Sequence, residues 1–156
     1  MIPALVEAVL QTRYPGFEHR AHATAVTAQG LAAATHVSGR RVAKVVALRV
    51  DGELALAVIA ATDRLNLAPL EEAIGARAEL ASEPEFSGRF WPCDAGAAPP
   101  LSMFGAPIFV DHKLMREQTL LMPAGTHEDA VALDTGAWAW GEHVQPIVGL
   151  GRATDA

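Results

Sequence analysis

Arg41-Val42-Ala43-Lys44-Val45-Val46-Ala47-Leu48-Arg49-Val50-Asp51-Gly52-Glu53-Leu54-Ala55-Leu56-Ala57-Val58-Ile59-Ala60-Ala61 is the stretch on which the fold turns. Two apolar runs flank Asp51-Gly52, a dipeptide that tolerates the positive φ angles of a two-residue hairpin turn. Residues 41–50 and 53–61 are therefore expected to pair as strands. Lys44 interrupts the first run. A lysine in such a place either guards a strand edge against sheet-to-sheet pairing or points its amine into a pocket. Position alone leaves both readings open. Arg40, Arg41, Lys44 and Arg49 make this the densest basic segment of the chain.

Working outward, residues 2–12 carry Leu5, Val6, Val9 and Leu10 at helical spacing, and Tyr14-Pro15-Gly16 stops that helix. Residues 17–25 are short and polar, with His19 and His22, and suit an edge strand. Thr27 is placed to cap a helix through residue 35. Beyond the hairpin, residues 62–64 read as a connection. A cap at Asn66 or a neighbour opens a helix that Gly75 ends. Short strands are expected at 78–81, 107–111, 119–122 and 130–133, a helical turn at 83–88, and a short helix or turn at 114–117. A helix over 135–141 carries Trp138 and Trp140, and residues 144–148 close the fold. Residues 90–105 differ in kind: Trp91-Pro92-Cys93, Gly96, Pro99-Pro100 and Phe104-Gly105 make a long loop of rigid and small residues. Short strands interleaved with short helices point to a mixed sheet in an α/β (α+β) chain of one domain. Residues 1–151 are assigned to that domain and 152–156 to a loose tail.

Composition narrows the function classes. The chain has 156 residues, 51% of them hydrophobic and 19% charged, which suffices for a real core. A net charge of −6 argues against a general polyanion binder but not against a local basic site. Cys93 is the only cysteine, so no internal disulfide or thiolate metal cluster is available. The first residues lack the basic region of a signal peptide, and no apolar run reaches membrane-spanning length. A cytoplasmic protein with no membrane partner is the expectation.

Few residues stand out for chemistry. Gly125-Thr126-His127 follows a strand, where a histidine can hydrogen-bond a substrate or sit plainly on the surface. Glycines in the 96–105 loop let a ligand approach the backbone, or simply serve a crossover. Asp63-Arg64 could form a turn-stabilising pair or reach a phosphate. Cys93 reads as a small buried hydrophobe, having no neighbouring base. His19-Arg20-Ala21-His22 lacks a carboxylate at matched spacing for a metal. No P-loop, dinucleotide fingerprint, nucleophile elbow or His-Glu-x-x-His pattern is present.

Several stretches, in order, resemble the YbaK-type editing domains, also found associated with prolyl-tRNA synthetase. They are His22 five residues before Thr27-Ala28-Gln29; His36-Val37-Ser38-Gly39-Arg40-Arg41-Val42-Ala43-Lys44; Asp63-Arg64-Leu65-Asn66-Leu67; Gly96-Ala97-Ala98-Pro99-Pro100 with Phe104-Gly105; Ile108-Phe109-Val110-Asp111; and Ala124-Gly125-Thr126-His127. The chain departs from the pattern at Leu101-Ser102, where Phe-Gly is usual after the prolines. The resemblance implies a mixed, strongly curved, barrel-like sheet surrounded by helices. It implies hydrolysis of the ester of a misacylated tRNA in trans, of a small amino acid on a tRNA such as that for proline, with no metal and no cofactor. Lys44 takes the catalytic role by that likeness. His22, Thr27, Gly96, Pro99, Pro100, Gly105, Gly125 and His127 would bind substrate, and Arg40, Arg41 and Arg64 would contact tRNA. The partners implied are the acceptor end of an aminoacyl-tRNA and an aminoacyl-tRNA synthetase. The competing expectation is a non-catalytic module of the same fold that binds aminoacyl-tRNA, a synthetase or a small ligand, its pocket filled by Leu101 or Met103.

Overall fold

The computed structural model describes residues 1–154 except Ser87, and says nothing of the Glu83 side chain. The hairpin forms as expected. Strand β2 (Ala43–Val50) pairs antiparallel with β3 (Glu53–Ala60), and Asp51 and Gly52 turn between them with φ of 50° and 82°. Both central residues thus take the positive φ of a type I′ turn, which matches the right-handed twist of the flanking strands.

β3 is buried along nearly its whole length because both of its faces are covered. Leu54, Leu56 and Val58 enter one apolar cluster, together with Trp138, Leu101 and helix α1 (Ala4–Arg13). Ala55, Ala57 and Ile59 enter a second, against Leu70 of helix α3 (Ala68–Ile74). This two-sided burial explains why the run reads as continuously apolar rather than alternating.

Around the hairpin stands a mixed sheet of order β5-β2-β3-β6-β9. β5 (Ala78–Leu80) pairs antiparallel with β2, while β6 (Ile108–Asp111) runs parallel to β3, and β9 (Gln145–Ile147) parallel to β6. A second sheet has the order β1-β8-β7, with β1 (Glu18–Ala21) at its edge, β8 (Asp129–Asp134) central and β7 (Thr119–Pro123) outside. Among the described residues a single parallel bridge, Val42 to Leu121, joins the two sheets. The expected barrel-like closure is therefore corrected: among the described residues no sheet closes on itself. β5 flanks only residues 48–50 of β2, and the bridge at Val42 meets β7, so a gap is left between them.

Helix α2 (Ala28–Thr35) begins where expected, with the Thr27 hydroxyl accepting the Gly30 N–H at 2.9 Å. Helix α4 (Thr135–Gly141) starts at an Asp134 cap and buries Trp138 completely. Its indole Nε1 donates to the Pro100 carbonyl at 2.8 Å, which ties the 96–105 loop to the core. The partly buried pocket around Glu142 adds a second tie. Its carboxylate accepts from the Ser102 N–H at 2.7 Å, from Arg13 at 2.9 Å and from the Tyr14 hydroxyl.

Three local expectations are corrected. Asp63 does not pair with Arg64; it is buried, and its carboxylate receives the Lys113 ammonium at 2.8 Å, since a buried charge needs a partner and Arg64 points to solvent. The connection at 62–64 contains strand β4 (Asp63–Leu65), paired with β10 (Gly151–Ala153). Arg152 and Ala153, expected in a loose tail, thus belong to a ladder, and Thr154 donates to the Thr62 carbonyl at 3.0 Å. Residues 155–156 of that expected tail lie outside the described residues. Helix α3 opens at a neighbour of Asn66 as expected, Leu67, though without a side-chain cap, and Gly75 ends it at φ 66°. No described helix is long and apolar enough to cross a membrane.

Candidate functional site

The gap beside β2 opens into a cleft of about 420 Å³, within the usual size of a small-ligand site. Five segments meet there, one of them represented by Ala61 just past the end of β3. β2 contributes Ala43, Lys44 and Val45. The segment before and into α2 contributes His22, Thr27 and Leu31. Gly96 and Ala97 come from the long loop, and Pro123, Thr126, His127 and Asp129 from the β7–β8 turn.

The register of the hairpin fixes what β2 presents. The Ala61 N–H donates to the Val42 carbonyl, so Val42 and every second residue after it turn their backbone groups toward β3. Ala47 faces the other way, its carbonyl accepting the Ala81 N–H. Val45 shares that direction. Its N–H and C=O consequently face the gap, beyond the reach of β5 and past the bridge at Val42. Lys44 stands opposite Ile59 and is exposed. Among the described residues it has no ion-pair partner. The alternatives of edge residue and pocket residue merge: the unflanked edge is itself a wall of the cleft.

Two histidines differ in what they offer. The His127 ring places Nε2 at 2.8 Å from the Ala95 carbonyl, which can only accept, so that nitrogen carries the proton. His127 is thereby a brace between the β7–β8 turn and the loop. His22 places Nδ1 at 2.6 Å from the Ala23 carbonyl and must donate there. Its Nε2 is buried and has no hydrogen-bond partner among the described residues, while the residue itself lines the cleft.

The turn and the loop are clamped together by backbone. Gly125 N–H donates to the Ala97 carbonyl at 2.8 Å, and Asp94 N–H donates to the Gly125 carbonyl at 2.8 Å. Gly125 holds φ at 103°, and a Cβ there would lie 2.7 Å from Pro3, so no other residue fits. Gly96 holds φ at 79° with nothing within 4 Å of where a Cβ would project.

Asp129 was not anticipated from sequence. It is 2% exposed, and burial alone would raise its pKa. Hydrogen bonds from the Met1 ammonium, the Thr126 hydroxyl at 2.6 Å and His19 at 2.5 Å outweigh burial and hold it at about 2. A carboxylate that weak as a base is a positioning group for the turn that carries His127. Because its folded pKa is depressed, its stabilisation is full above the unfolded value near 4 and is lost as pH falls through about 2. We expect Asp129→Asn to cost on the order of 2 kcal/mol at neutral pH and to flatten the acid limb of stability between pH ~4 and ~2, followed by urea unfolding.

Lys44, expected to be catalytic, lines this cleft, as do His22, Thr27, Gly96 and His127 of the substrate contacts expected. Pro99 and Pro100 do not: with Leu101, which is fully buried, they turn into the core, as apolar residues behind a wall. Gly105 ends a 3₁₀ turn (Ser102–Phe104) at φ 73° and hands its carbonyl to Arg89, away from the cleft. Gly125 stands behind Thr126. Met103 packs against the core, so neither it nor Leu101 fills the cleft. Arg40 and Arg64 are exposed outside it, and Arg41 belongs to a second, smaller cleft. Among the described residues no group of three or more His, Cys, Asp or Glu could hold a metal.

Solved structures share this fold. A candidate trans-editing enzyme for prolyl tRNA synthetase superposes with a TM-score of 0.79 at 18% identity, covering 98% of this chain and 100% of its own. The hypothetical protein APE2540 gives 0.80 at 19% identity over 91% and 97%. A structure from computational grafting of linear epitopes onto scaffold proteins gives 0.81 at 18% identity over 96% of each chain. Among curated proteins no sequence match reaches significance. The family model for the aminoacyl-tRNA editing domain matches residues 22–139, a span that runs from His22 through the β2–β3 hairpin, the loop and the His127 turn into α4. The chain belongs to the aminoacyl-tRNA editing domain family.

Proposed function

We propose that the chain is a trans-acting deacylase that hydrolyses the ester between a small, wrongly attached amino acid and the 3′ end of a tRNA. The observation that carries this reading is the cleft itself: among the described residues, an exposed lysine with no ion-pair partner stands on an unflanked strand edge that shares one cleft with His22, Gly96 and His127.

An aminoacyl ester is already activated, so water can attack it once positioned. Attack forms a C–O bond and a tetrahedral oxyanion, whose collapse expels the ribose oxygen and leaves a free amino acid and a 3′-terminal hydroxyl. The Lys44 ammonium donates to the carbonyl oxygen and stabilises the oxyanion, a contribution typically of about 10²–10³ in rate for one such donor. The Val45 edge aligns the ester along β2 through backbone hydrogen bonds, in the manner of an added strand. The proton released by the attacking water passes through solvent to the departing ribose oxygen, because the His22 Nε2 is buried within the wall. Gly96 lets the aminoacyl group approach the loop, and His127 and Ala97 limit the size of its side chain. No strong general base is needed, since orientation supplies much of the barrier reduction. The setting we propose is the cytoplasm, with an aminoacyl-tRNA synthetase, that for proline first, as the source of the mischarged tRNA.

A panel of alanyl-, seryl-, threonyl- and cysteinyl-tRNAs tests the reading. Release of at least one amino acid well above the uncatalysed rate is expected. Tight binding to every member without hydrolysis would replace the enzyme by a binding module.

A further inference from the structure

A second cleft, of about 180 Å³, lies on the same face of the β1-β8-β7 sheet as the first. Arg20 of β1, Arg41 from the 3₁₀ turn Gly39–Arg41, His36 just after α2, and Thr119 of β7 line it. Register places them there. Glu18 pairs with Ala132 and Ala132 with Leu121, so Arg20, Ala132, Leu121 and Thr119 share one face by the two-residue period. Pro123, a wall of the aminoacyl cleft, lies on that face two residues from Leu121, about 7 Å along the strand. Between the clefts sits a small apolar cluster of Leu31, Val42, Ala61, Leu121 and Ala130.

We propose that this second cleft binds a backbone phosphate of the RNA whose 3′ end enters the first; the assignment rests on the deacylase reading. Two guanidinium groups, an imidazole and a hydroxyl converge on a space suited to one tetrahedral anion, and arginine forks match phosphate oxygens. Arg20 is also bonded through Nε to the exposed Glu18 at 3.0 Å, which orients the fork and does not consume its other N–H groups. Among the described residues Arg41 and His36 have no ion-pair partner. In a chain of net charge −6 such a cluster stands against the overall field, and its neighbour one strand-step away is the site for the acyl end. A phosphate held here fixes the register of the RNA terminus relative to Lys44, and draws affinity from a local contact where the whole molecule supplies none.

The test uses the whole chain and an uncharged, fluorescein-labelled RNA acceptor-stem hairpin with a single-stranded CCA end, followed by anisotropy. Between about 50 and 200 mM salt, Arg20→Ala/Arg41→Ala is expected to weaken binding by about tenfold or more and to reduce the slope of log K against log salt by about 1. Arg116→Ala, which removes an exposed charge elsewhere, should stay within about twofold of the parent. Equal behaviour of the two variants overturns the proposal. So does a cleft whose His36 and Thr119 amide signals titrate with inorganic phosphate while RNA affinity ignores Arg20 and Arg41, which would mark a free-anion site. Hydrolysis by the parent chain is read separately. Lost RNA binding in the double variant with no hydrolysis by the parent sinks the deacylase reading alone. Hydrolysis by the parent with RNA binding unchanged in the double variant sinks the phosphate site alone.

Discussion

Lys44→Ala is expected to lower the rate of aminoacyl-tRNA hydrolysis by about 10²–10³-fold, the usual effect of removing one oxyanion donor. Stability should change by no more than about 0.5 kcal/mol, because Lys44 is exposed and has no ion-pair partner among the described residues. The loss should fall on kcat, since the donor acts on charge that develops after attack. Lys44→Arg should recover only part of the rate. It keeps the charge but changes a compact ammonium into a planar fork on the same strand position. Single-turnover release of amino acid, paired with urea unfolding of each variant, separates this outcome from a folding defect. A variant that unfolds early would assign Lys44 to structure instead.

Trp138→Ala should have the largest effect on stability, about 3–5 kcal/mol, as expected for a fully buried tryptophan. The cavity left under β8 accounts for most of it. The Pro100 carbonyl, which accepts from the indole at 2.8 Å, would also lose its donor inside the core. Trp138→Phe keeps most of the ring and removes only that N–H, so a cost of about 1–3 kcal/mol is expected. Both variants loosen the loop that carries Gly96 and Ala97 into the cleft. At temperatures below unfolding, KM should therefore rise while Lys44 chemistry persists. Urea midpoints, followed by steady-state kinetics on the folded fraction, read the two effects apart.

Elements governed by local chemistry were legible in the sequence. Asp51-Gly52 adopts the two positive φ angles that its composition permits, and Thr27 caps α2 as its hydroxyl suggests. Helix α4 occupies residues 135–141 as expected. What escaped depends on partners far along the chain. Asp63 finds Lys113 fifty residues away rather than its neighbour Arg64. β10 has only three residues and no hydrophobic alternation, so nothing marks Arg152 and Ala153 as a ladder until β4 lies beside them.

The site divides the same way. Lys44, Gly96 and His127 were marked by residue type and by likeness to a family. The loop prolines carried the same mark, yet they serve as the packed back of the wall, a role set by the buried Leu101 that follows them. The Val45 edge could not be read from composition, because an unflanked backbone is a property of neighbouring strands. Asp129 looked like one acid in an acidic chain until His19 and Thr126 were seen to converge on it.

The central claim is that one cleft holds the aminoacyl ester against Lys44, and a complex with alanyl-adenosine bearing a 3′-amide in place of the ester tests it most directly. The account predicts that the amide carbonyl oxygen sits about 3 Å from the Lys44 ammonium, with the alanyl group beside Gly96 and His127. An analogue seated outside the cleft, or in it with its carbonyl away from Lys44, would contradict it.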